Sequence, residues 1–136
     1  MQSKKQLFNF APAIRGIIIF YCIIFFDLGL VLAKNRKSQN IIVAEISNHI
    51  SNFAITSLMV ALLAFIMTLQ GAPFKFVIWL GIITVLMNFI VEVLISILNT
   101  PDIIDAFYGS AGALLTVLAM YAFFKIGINT AAESKQ

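Results

Sequence analysis

Four apolar runs, each close to the ~20 residues an α-helix needs to cross a bilayer core, divide this chain. They cover about 12–33, 51–70, 74–98 and 103–126 of its 136 residues. In hydrocarbon every backbone N–H and C=O must be satisfied by the protein itself, and a helix does so within one segment. The runs therefore predict an all-α fold. It is an integral membrane, up-and-down bundle of four transmembrane helices forming a single domain, 1–136. Charge agrees with this. Only 11% of residues are Asp, Glu, Lys or Arg, where a soluble domain carries roughly 25%.

The segments between the runs set the connections. Lys4 and Lys5 belong to a short polar lead, 1–11, and Pro12 is expected in the first helical turn, where its missing N–H is not needed. Lys4, Lys5, the apolar stretch and Val31-Leu32-Ala33 also resemble a cleavable signal peptide. The length of the run and Asp27 inside it favour a retained span. After a basic loop, 34–37, Ile41, Ile42, Ile46 and Ile50 fall near helical spacing with Glu45 and His49 among them. That pattern predicts a short helix lying in the interface ahead of the second span. Gly71-Ala72-Pro73 makes the next turn, and Asn99-Thr100-Pro101-Asp102 the last. There Thr100 is expected as N-cap, Pro101 as first helical residue and Asp102 at the positive end of the helix dipole. The tail 129–136 is polar and expected to be mobile. Cys22 is the only cysteine, so no internal disulfide or cysteine metal site can form, and it reads as a small packing residue.

Lys4, Lys5, Arg15, Lys75, Lys125 and Lys135 lie on one side of such a bundle, and Lys34, Arg36 and Lys37 on the other. The positive-inside rule predicts a multi-pass protein of the cell membrane with both termini in the cytoplasm. The net charge of +3 sits in tails and loops and is explained by this orientation, with no call for a nucleic-acid partner.

Polar residues inside the runs are the candidates for function, because hydrocarbon does not tolerate them unsheltered. The third run carries Gly81, Thr84, Asn88, Glu92, Ser96 and Asn99, all three or four apart and so on one helix face. The fourth carries Asp105, Gly109, Gly112 and Thr116, with Asp102 leading in. Gly109 and Gly112 suit close helix packing. The second begins with His49, Asn52 and Thr56, and Asp27 lies late in the first. In an up-and-down bundle Asp27, His49, Asn52, Glu92, Asp102 and Asp105 fall on the same side whichever way the chain inserts. With the termini inside, that side is the non-cytoplasmic one. Glu92 then lies about two helical turns, roughly 9 Å, below that surface. Plainer roles are open to several of these residues. Asp102 and Asp105 suit an acidic first turn, His49 an interface position, and Asp27 a headgroup contact or a pairing with Arg36 or Lys37. Glu92 is the hardest to explain by structure alone, although protonation or a hydrogen bond to Asn88 or to a group on the fourth span is open to it.

Three pieces of the chain resemble the VanZ-like family of small bacterial membrane proteins. They are Ser47-Asn48-His49-Ile50-Ser51-Asn52-Phe53, Val91-Glu92-Val93, and Pro101-Asp102-Ile103-Ile104-Asp105 leading into Gly109-Ser110-Ala111-Gly112-Ala113. The resemblance covers about 45–115. It implies a cell-envelope protein of the kind named for low-level resistance to the lipoglycopeptide teicoplanin.

The favoured functional reading is a non-enzymatic envelope protein in membrane lipid. It would bind an amphiphile or a membrane-protein partner through the sheltered polar pocket, with oligomers open to it. No cofactor and no metal is expected. A membrane enzyme acting on a lipid or lipid-linked sugar is the alternative, with a carboxylate pair and His49 as acid and base or around a divalent ion. No phosphate-binding glycine loop, Ser/His/Asp set or zinc signature supports it. A small carboxylate-dependent transporter is the third possibility.

Overall fold

The computed structural model describes residues 8–34, 41–94 and 102–130. Four helices take up the apolar runs: α1 Ile14–Lys34, α2 Ile41–Leu69, α3 Phe74–Leu94 and α4 Ile103–Ile126. All four are long and apolar enough to cross a membrane. Their outer faces are apolar as well: Ile14 is 77% exposed, Leu32 70% and Leu118 67%. Such a surface would aggregate in water and is matched by lipid. The protein is a small multi-pass membrane bundle.

The helix ends depart from the sequence expectations in three places. Ile41 to Ile50 does not form a separate interfacial helix. It is the first part of α2, which runs unbroken for 29 residues, because no Gly or Pro interrupts it. The part of α2 fit to cross the membrane is Ile46–Leu69, so His49 lies within the span. Pro12 is not helical. Strand β1, Phe10–Pro12, pairs antiparallel with β2, Ile128–Thr130, and so takes in Pro12 and the start of the expected free tail. The α4 N-cap is Asp102, whose Oδ1 accepts from the Ile104 N–H at 2.9 Å. The expected cap Thr100, together with Pro101, Ser96, Asn99, Arg36 and Lys37, lies outside the described residues.

The helices alternate in direction, and α2 and α4 run parallel along the short diagonal of the bundle. Their seam is the most extensive in the protein. The helix α1 packs on both of them, α3 packs mainly on α4, and α2 and α3 meet only loosely. Small buried residues explain the seam: Ala54, Ala61 and Ala64 on α2, and Ala106, Gly112 and Ala113 on α4, while Gly109 faces α3. A Cβ at Gly112 would collide with the carbonyl oxygen of Phe53, and one at Gly109 with the Asn88 amide.

The two halves of the bundle differ in chemistry. At the end where the strands lie, Leu69, Val77, Met120 and Phe123 form an apolar core flanked by Phe10, Phe65 and Phe74. The backbone is pinned there by Asn9 N–H to Leu69 O and Ala13 N–H to Gly127 O, each 2.9 Å. Gly71, at φ +85°, turns the chain from α2 into α3 against Asn9. Polar side chains gather in the other half.

Candidate functional site

The loose α2–α3 junction leaves a cavity of about 210 Å³. Six of its lining residues are polar: Asn52 and Thr56 from α2, Thr84, Asn88 and Glu92 from α3, and Asp105 from α4. Steps of four residues place each helix's contributors on one face. Ile55, Met59, Met87 and Val91 supply apolar wall. A groove of this composition accepts a polar group within an apolar environment.

The hydrogen bonds show which of these groups are engaged. Thr84 Oγ1 is spent on the Leu80 carbonyl at 2.8 Å, one turn back. Thr56 Oγ1 reaches Asn88 Oδ1 only at 3.5 Å, the limit of a hydrogen bond. The Nδ2 of Asn88 is buried and has no hydrogen-bond partner among the described residues. Gly109 has no side chain to displace that amide, so it stays pressed between α3 and α4.

His49 and Asp102 stand beside the groove. His49 is 6% exposed. Its Nδ1 lies 2.7 Å from Asp105 Oδ1 and 3.8 Å from Asp102 Oδ2, and its ring tilts against Tyr108 with centroids 5.5 Å apart. A carboxylate on one ring nitrogen fixes the orientation of the imidazole. One ligand atom from each of His49, Asp102 and Asp105 falls within 4.8 Å of the others, so these are the described residues that could hold a divalent ion. Coordination would have to displace the Nδ1–Oδ1 hydrogen bond.

Asp27 does not join this group, nor does it reach outward to a headgroup. It is fully buried, and Ser57 Oγ donates to its Oδ2 at 2.6 Å. Ser57 Oγ also lies 2.6 Å from Thr116 Oγ1. Ser57 and Thr56 are neighbours in sequence, but a helix turns about 100° per residue, so they point to different sides of α2. Thr56 faces the groove, and Ser57 faces α1 and α4. Sequence reasoning passed over Ser57. The signal for it was the small-residue row Ala54, Ser57, Ala61, Ala64, at steps of three and four, which marks the face turned to α4.

Fold and site together define a class: a small helical membrane protein with a polar groove inside an apolar bundle. Comparison with protein-family models, with curated proteins and with solved structures gave no match.

Proposed function

We propose that the protein is a VanZ-like, non-enzymatic factor of the cell membrane whose α2–α3 groove takes the polar headgroup of an amphiphile from the non-cytoplasmic side. One observation carries this reading: six hydrogen-bonding side chains, two of them carboxylates, line one groove of an otherwise apolar bundle. Burying a hydrogen-bonding group is costly unless it finds a partner, and a headgroup supplies one to Asn88 Nδ2, which is buried with none among the described residues. Glu92 and Asp105 favour a headgroup carrying donors or positive charge, and His49 steadies Asp105. The apolar chains of such a ligand stay in lipid, so the groove needs to hold only the polar part.

The test is teicoplanin susceptibility in a sensitive Gram-positive host carrying empty vector, wild type, Glu92→Gln or Asp105→Asn, with membrane abundance matched. Protection by wild type and its loss in both abundant variants is expected. Wild type that gives no protection at normal abundance overturns the reading.

The close His49–Asp105 pair favours a second reading, a lipid-modifying enzyme, because it has the form of an oriented base. That reading requires a lipid product in wild-type membranes that is missing from His49→Ala membranes, and unchanged lipid profiles would refute it.

A further inference from the structure

A second cavity, of about 400 Å³, lies between α1, α2 and α4, away from the groove. Phe26 and Leu115, 59% and 57% exposed, stand at its mouth, and Ser57 and Thr116, each 3% exposed, form its floor. Those floor residues sit near the middle of the spans Ile46–Leu69 and Ile103–Ile126, so the mouth faces lipid close to the bilayer centre. We propose that this cleft binds a lipophilic amine taken up from the bilayer, with Asp27 as its countercharge.

Three observations converge on an amine. The walls are apolar and aromatic: Ile23, Leu115, and Phe26 set edge-on to Phe53 with centroids 6.4 Å apart. Aromatic faces attract cations. The floor is a pair of hydroxyls 2.6 Å apart, and Asp27 lies directly behind it at 2.6 Å from Ser57 Oγ. Finally, Asp27 is fully buried, its Oδ1 has no partner among the described residues, and the two described basic groups at that end, Lys34 and His49, are engaged elsewhere. Lys34 Nζ donates to Ser51 Oγ at 2.9 Å, and His49 is held by Asp105. Among the described residues Asp27 has one hydroxyl partner and no cation, so a bound ammonium would supply the charge that a carboxylate there lacks.

The hydroxyl row also explains how such a pair forms without bringing ions through lipid. In this scheme the amine enters as the neutral base and Asp27 starts as the neutral acid, with Oδ2–H donating to Ser57 Oγ and Ser57 O–H to Thr116 Oγ1; the Ser57 to Oδ2 direction seen in the structure is that of the ion pair that results. The proton on Oδ2 passes to Ser57 Oγ, the Ser57 proton to Thr116 Oγ1, and the Thr116 proton to the amine nitrogen. One carboxyl O–H bond is lost, one N–H bond is gained, and both hydroxyls keep a proton. The product is an ammonium held across the hydroxyls from a carboxylate. An alcohol of the same shape takes no proton and gains no ion pair.

The full chain in nanodiscs of zwitterionic lipid is dialysed against decylamine or decanol, and uptake by protein-free discs is subtracted. Saturable decylamine binding at least about tenfold tighter than decanol binding is expected. Asp27→Asn, which keeps the shape of the side chain, should bring that ratio to about one. Ala119→Phe fills the cleft and should remove the Asp27-dependent preference for decylamine, whatever binding the α2–α3 groove retains. Glu92→Gln should leave the ratio unchanged, which separates this cleft from the α2–α3 groove. The proposal is overturned by an absence of saturable decylamine binding, by a ratio that Asp27→Asn or Ala119→Phe leaves unchanged, or by a ratio lost with Glu92→Gln alone.

Discussion

Adding a single methyl at Gly112 should force α2 and α4 apart. The new Cβ would fall on the Phe53 carbonyl oxygen and also lie 3.1 Å from its carbon and 3.2 Å from its Cα. These are backbone atoms, which cannot swing aside as a side chain can. Restoring van der Waals distance needs a separation of roughly 1 Å. One turn further along both helices, the Ser57–Thr116 contact of 2.6 Å would stretch past hydrogen-bonding range. Overpacking of this kind costs about 1–3 kcal/mol and the hydrogen bond about 1 kcal/mol, while Ala for Gly in a helix returns about 0.5–1 kcal/mol. The net expectation for Gly112→Ala is a loss of about 1–3 kcal/mol. Gly29 provides the control, since a Cβ there meets nothing within 4 Å. Gly29→Ala should therefore stabilise by about 0.5–1 kcal/mol. Reversible unfolding of the purified variants in mixed detergent–SDS micelles measures both. The reasoning fails if the two substitutions shift the midpoint equally, or if Gly112→Ala is neutral.

Two other outcomes follow from the same geometry and topology. In a double-mutant cycle of His49→Ala and Asp105→Asn, the same unfolding assay should show a coupling of about 1–3 kcal/mol, and simple additivity would mean that the 2.7 Å contact carries no energy. Reporters active only in the cytoplasm should be active when fused to either terminus. Activity at one end alone would break the four-span topology, and activity at neither would reverse the orientation.

Much of the candidate site was legible before any folding was considered, because it depends on spacing within single helices. Thr84, Asn88 and Glu92 share a face by steps of four, and so do Asn52 and Thr56. The sequence places Asp102 at the start of α4 but points to Thr100 as the cap, a role that Asp102 itself takes. Topology groups Asp27 with the others because it lies at the same end of the bundle. Being at the same end does not mean being in the same pocket: the groove lies between α2 and α3, whereas Asp27 is on α1, across α2 from it. The strands were missed because neither Phe10–Pro12 nor Ile128–Thr130 has a pattern of its own. Each is three residues long and exists only by pairing with the other.

The amino-acid sequence by itself determined the class of this protein: four helices, their approximate limits, and the polar face of α3. The reason is that hydrocarbon thickness fixes span length and the helical repeat fixes faces, and both are properties of local sequence. Tertiary structure alone decided which neighbour each face meets. It set α2 against α4 through Gly112, turned Thr56 and Ser57 into separate cavities, and gave Asp27 to Ser57 and Thr116. How far each helix is rotated about its axis depends on residues more than 50 positions apart fitting together, as the Phe53 backbone and Gly112 do, and no local pattern records that fit.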